Sequence, residues 1–220
     1  TIVGPRGIIE AIKAIKVLVE YLPYNLNIIE NPLETFSLEN HPVFKDLQIS
    51  TLELDHSTEC LGYSLYFKRT PKFNIEKAKA NNVPQNLWSK LQKIDSIFYD
   101  KKKYTSDMVL GDDRKGVKLS FITDTRFLLT IPDFIRHSDL FVCEGMYGDD
   151  MDISKAVKNK HMTFNEAASL ASLGEVKQLL LTHFSPSLEN PHDYLKNATR
   201  IFPNTIIGED RLSLSLNYEN

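Results

Sequence analysis

Cysteine is scarce in this chain, with two residues, Cys60 and Cys143, among 220. Their spacing suits neither a thiolate metal site nor a disulfide framework, so they read as free thiols buried in a reducing cytoplasm. Long apolar runs are missing as well. Nothing approaches the roughly 20 residues needed to cross a bilayer, and the first residues lack the build of a signal peptide. A cytoplasmic protein without a membrane partner is therefore expected. There is no internal repeat, no low-complexity segment and little net charge, −3 overall. An initiator methionine is also lacking: TIVGPRGIIEAIKAIKVLVEYL opens inside a strand-turn-helix unit, which predicts that these residues follow an earlier part of something longer.

What is present is a globular composition, 42% hydrophobic, 25% charged and 10% aromatic, enough for one sizeable core or two small ones. Ile8, Ile9, Ile12, Ile15 and Val19 recur at helical spacing. NLNIIEN and LETFSLEN read as short strands and Pro42 as a break, and residues 48 to 67 as strand, polar turn and strand. Short helices are expected at IEKAKANN and from Pro84 in PQNLWSKLQKI. From 117 onward strands and helices alternate: VKLSFIT, a short helix in DTRFLLTIPDFIRHS, DLFVCEG, the helix TFNEAASLASLG, VKQLLLTHF and the helix NPHDYLKNATRIF. Thr163-x-x-Glu166 is a capping box and Gly174 a stop, and Asn190-Pro191 caps and starts the next helix. NTIIGEDRLSLSLNY reads as a closing hairpin-like pair. The alternation indicates a layered α/β architecture.

Charge is unevenly distributed. Residues 68 to 118 hold thirteen lysines and arginines against six acids, a local +7, which leaves −10 for the remainder of a chain at −3. Such asymmetry suits either an anionic partner or a solvated, lysine-rich insertion.

Four apolar strands end in a group able to bind metal or move protons: His56, Asp124, Glu144 and His183. His161 stands just before the capped helix. In α/β sheets, ligands collect at the carboxyl ends of strands, and imidazole with carboxylate suits zinc or manganese. Any one of these residues is equally at home as a hydrogen-bonded turn residue. His41, His137 and His192 lie in polar loop or helix-start contexts and read as ordinary surface residues. The coincidence of several strand ends points to a metal-dependent hydrolase.

The ordered set HSTECLGY, ITDTR, FVCEGMYGDD, HMTFNEAA and LLLTHFS, with the Gly-Pro-x-Gly start and the late IFPNT, resembles the ribonuclease Z family of the metallo-β-lactamase superfamily. The resemblance covers nearly the whole chain and is most specific at 119–186. It implies an αββα sandwich with residues 1–220 as one N-terminally incomplete domain, carrying a basic insertion or arm at about 68–118. It implies a zinc-dependent endoribonuclease that cleaves the 3′ trailer from precursor tRNA by metal-activated water attack on a phosphodiester. Two zinc ions are implied, with manganese or another divalent metal as alternatives, and so is a homodimer. His56 resembles a ligand of one metal, Asp124 the carboxylate bridging both, and His183 a ligand of the second. Glu144 and His161 resemble the pair in which a carboxylate orients the imidazole that protonates the leaving oxygen. Ser185 matches a substrate-binding position.

Three departures accompany the match. The family's H-x-H-x-D-H motif is absent from these 220 residues and is expected before Thr1. The basic segment shows VPQNLW where the family's arm has a Gly-Pro pair. FSPSLEN lacks the arginine that many members place near the phosphate. The alternatives are another hydrolase of the same fold, an inactive fragment, or an RNA-binding module.

Overall fold

The computed structural model describes residues 1–19, 21–38, 44 and 46–219; His41 and Pro42 lie outside the described residues. The chain divides into two compact units. The larger comprises Thr1–Phe67 and Val117–Asn217, the smaller Lys68–Gly116 and Tyr218–Asn220.

The larger unit opens with β1 (Ile2–Gly4), α1 (Ile8–Lys16) and β2 (Ile28–Glu30), with β1 and β2 paired in parallel. α1 forms where the isoleucine spacing predicts it, yet none of its residues is buried. Just beyond it, Val17 and Leu18 are 84% and 85% exposed. β3 (Phe36–Ser37), β4 (Leu47–Glu53) and β5 (Leu61–Arg69) follow, joined by antiparallel pairing around the loop that carries His56.

The smaller unit holds α2 (Ile75–Ala80), α3 (Trp88–Leu91) and the hairpin β6 (Ser96–Tyr99) with β7 (Lys102–Thr105). The Asn74 side chain accepts the Lys77 N–H and caps α2. The hairpin turns on Asp100 and Lys101, with φ of 49° and 62°, the left-handed pair that matches the twist of the strands. Ala78, Val83, Leu87, Leu91, Tyr104 and Val109 form a small core of its own, closed by Trp88 against Phe73.

The chain then returns through β8 (Arg114–Ile122), α4 (Ile131–Ile135), β9 (Leu140–Glu144), α5 (Ile153–Asn159), α6 (Phe164–Leu173), β10 (Leu179–Thr182), α7 (Leu195–Thr199) and β11 (Thr205–Ile207). The resulting seven-stranded sheet has the order β11-β10-β9-β8-β5-β4-β3, and β8 to β11 are parallel, so their carboxyl ends share one edge. Alternation along the strands sends Ile122, Phe141, Cys143, Leu179 and Leu181 to one side. There they meet Ile131, Ile135, Phe164 and Leu170, while Ala167, Ala168 and Ala171 let α6 come close. Each large side chain buried here contributes about 1.5–3 kcal/mol.

One expectation needs correction. The last segment is not a hairpin: β11 pairs in parallel with β10, and no strand follows it among the described residues. Gly208 donates to the Leu181 carbonyl at 2.7 Å, a closeness that a Cβ would obstruct, so the chain leaves the sheet there. Gly174 stops α6 as expected, standing at its C-cap. Its φ is −80°, and Glu175 takes the left-handed conformation instead. Gly174 is required for space, since a Cβ would lie 2.5 Å from Ile135 Cγ1.

Candidate active site

The parallel strands bring three of the expected groups to one edge. Glu144 is the last residue of β9, His183 follows β10 directly, and Asp124 stands two residues beyond β8. His56 comes from the β4–β5 loop and His161 from the short link between α5 and α6. Asp124 Oδ1 lies 3.4 Å from His183 Nε2 and 4.0 Å from His56 Nε2. The His161 ring sits between the two other imidazoles, with centroids 4.9 Å from His56 and 5.4 Å from His183. Two overlapping sets, His56–Asp124–His161 and Glu144–His161–His183, each bring their ligand atoms within 4.8 Å of one another. Three neutral-capable imidazoles and two carboxylates at such spacing suit a divalent metal of the zinc or manganese kind.

Glu144 has no exposed surface. It accepts the N–H of Thr125 at 2.7 Å and of Met162 at 3.0 Å, and both oxygens lie 3.2 Å from His161 Nδ1. Burial pushes its carboxyl up to about 7, against the downward pull of the two backbone N–H groups. His161 moves the other way, lowered first by burial and then by the neighbouring His56. With Nδ1 turned to Glu144, the second ring nitrogen is the one left for chemistry.

The frame around these groups is made by contacts distant in sequence. Gly145 allows the Phe164 ring to pack where a Cβ would approach to 2.8 Å, seating the α6 start against the end of β9. Arg126 forms a two-pronged pair with Glu166 and also donates to the His161 carbonyl. Glu166 at the same time closes the predicted capping box with Thr163. One residue of the D-T-R segment thereby fixes both the helix start and the loop carrying His161. Asp124 and His183 adopt left-handed backbones, with φ of 54° and 57°.

No protein-family model matches the chain. It is 64% identical over 219 residues to a ribonuclease Z of Clostridioides difficile strain 630, covering 100% of this chain and 72% of that protein. The chain belongs to the ribonuclease Z family. A ribonuclease Z of Clostridium beijerinckii is 53% identical over 219 residues, covering 99% of this chain and 71% of that one. Among solved structures, the short form of human tRNase Z superposes with a TM-score of 0.60 at 16% identity, over 98% of this chain and 67% of that one. The metallo-β-lactamase-fold protein YhfI of Bacillus subtilis gives 0.57 at 14% identity, over 93% of this chain and 60% of that one. Both share the fold.

In this ribonuclease Z family member, five of the six residues singled out in the sequence, His56, Asp124, Glu144, His161 and His183, form one cluster. Ser185 follows two residues after His183. Its hydroxyl pairs with Ser187 at 2.8 Å, and its N–H donates to the Met146 carbonyl. The sequence reading overlooked Asp55 and Lys160, which pair at 2.7 Å beside His56 and His161. Their one signal was adjacency, since each immediately precedes a site histidine. Cys60 also lies near Asp124, where burial first and then that carboxylate push its thiol up.

Proposed function

We propose that this chain carries the donor cluster of a zinc-dependent endoribonuclease that removes the 3′ trailer from precursor tRNA. The observation that carries the reading is the convergence of His56, Asp124, Glu144, His161 and His183 at one sheet edge, in a chain 64% identical to a ribonuclease Z. His56 and His183 flank a single Asp124 oxygen, which supports Asp124 as the bridging carboxylate and each imidazole as a ligand on its own side. Two tetrahedral ions take more donors than these three side chains provide, and an H-x-H-x-D-H motif is the proposed source of the others. Divalent ions bound here would acidify water and offset the charge that builds on the phosphate oxygens.

The chain's own residues account for the proton. Glu144 holds Nδ1 of His161, which fixes the ring and leaves Nε2 facing the reaction. As the water oxygen bonds to phosphorus and gives up a proton to bulk solvent, the phosphorus–O3′ bond breaks and the protonated His161 delivers its Nε2 proton to the departing O3′. Burial and His56 lower the pKa of His161, and the anionic phosphodiester opposes that shift as it arrives.

The exposed lysines of the smaller unit support phosphate contacts along the RNA. The exposed apolar residues Ile15, Val17 and Leu18 support a homodimer, and two unpaired cysteines support a cytoplasmic location. No described helix is long and apolar enough to cross a membrane.

The test uses the full-length protein with zinc and compares a precursor tRNA with bis-p-nitrophenyl phosphate. The expected result is one cut that leaves a 3′-hydroxyl on the tRNA. Turnover of the small diester with the tRNA left intact would replace this reading with that of a related hydrolase of the same fold.

A further inference from the structure

Lys160 ends α5 in a left-handed conformation, φ 58° and ψ 48°, a position where glycine or asparagine is the easy choice. The helix closes around it, with His161 N–H donating to Ala156 and Lys160 N–H to Val157. This turn aims the Lys160 carbonyl at His56 Nδ1, 3.2 Å away. A carbonyl cannot donate, so Nδ1 carries the proton and Nε2 carries the lone pair. Nε2 is the nitrogen that faces Asp124, at a distance too long for a hydrogen bond.

The side chain of the same residue reaches back to the same loop. Lys160 Nζ donates to Asp55 Oδ1 at 2.7 Å and to the His56 carbonyl at 3.2 Å. Asp55 is held from its other side, its N–H donating to Thr125 Oγ1 and its carbonyl accepting the Arg126 N–H. Three loops, carrying His56, Asp124 and His161, are therefore fastened at Asp55 and Lys160.

We propose that Lys160 is a positioning residue, whose left-handed carbonyl locks the His56 imidazole in the Nδ1–H tautomer while its ammonium staples the Asp55–His56 loop to the His161 loop. This rests on the reading of His56 as a metal ligand, because a ring so fixed presents Nε2 to a metal.

The test uses three variants of the full-length protein. Lys160→Val resists the left-handed backbone and turns the carbonyl away. Lys160→Asn tolerates that backbone but removes the ammonium, and Lys160→Arg restores a cation. The His56 tautomer is read in the metal-free protein by long-range proton–nitrogen NMR, and zinc affinity by competition with a chromophoric chelator. Lys160→Val should lose the single Nδ1–H form and bind zinc about 10–100-fold more weakly. Lys160→Asn should keep the tautomer and show a smaller loss of affinity, which Lys160→Arg recovers. An unchanged tautomer and affinity in folded Lys160→Val overturns the proposal. If that variant fails to fold, parent-like zinc affinity in Lys160→Asn overturns it. Failure of the parent to bind zinc removes the metal reading, while the tautomer measurement still decides the clamp.

Discussion

The two units use charge in opposite ways. In the larger one, Glu144 has no exposed surface and is met by two backbone N–H groups and an imidazole, and Arg126 is engaged by Glu166 and a carbonyl. In the smaller one, Lys101, Lys102 and Lys103 stand exposed at a hairpin, beside Phe98 at 76% exposure. A buried charge held by several partners fixes atoms in place and is costly to disturb. An exposed lysine fixes little and acts as a salt-screened field. The proposed function accordingly gives the chemistry to one part of the chain and the attraction of RNA to the other.

The strongest way to break this contrast is His161→Ala. Its kcat should fall about 10²–10⁴-fold on precursor tRNA, with KM for RNA little changed. A comparable rise in KM would show that the imidazole binds RNA. A smaller effect comes from Leu91→Ala, which empties the core of the smaller unit and should cost about 2–5 kcal/mol there. Hydrogen exchange should rise in residues 68–113 and stay unchanged in β9 and β10; faster exchange in both would mean that the units unfold together. The mildest change replaces Lys101, Lys102 and Lys103 with glutamine. RNA affinity should fall, and its logarithmic salt slope should drop by up to about 0.9 for each phosphate no longer neutralised, while turnover of bis-p-nitrophenyl phosphate is retained. An unchanged salt slope would remove the smaller unit from RNA binding.

The legible parts of the fold were those written locally. The capping box of α6 and the Asn190 cap each sit within a few residues of the groups they satisfy, and both form. The closing segment was misread because alternation in LSLSL is a strand signal only if a neighbouring edge accepts it, and β10 takes β11 instead. Gly174 reads as a stop and is one, but its second constraint is Ile135 on another helix, a contact invisible in the α6 sequence. At the site, strand ends suggested which side chains to watch, and the family resemblance supplied their roles. The clamp at Lys160 was not legible at all, since it joins residues 104 and 105 apart and half of it is a backbone carbonyl.

Asp124, Lys160 and His183 all hold backbone conformations that their side chains disfavour, by about 1–3 kcal/mol for each such residue. Glycine at any of these positions would relax the chain while discarding the function the residue serves. Asp100, Lys101 and Glu175 carry the same bend outside the five-residue cluster, so the convergence of side chains, and not the backbone, marks the site.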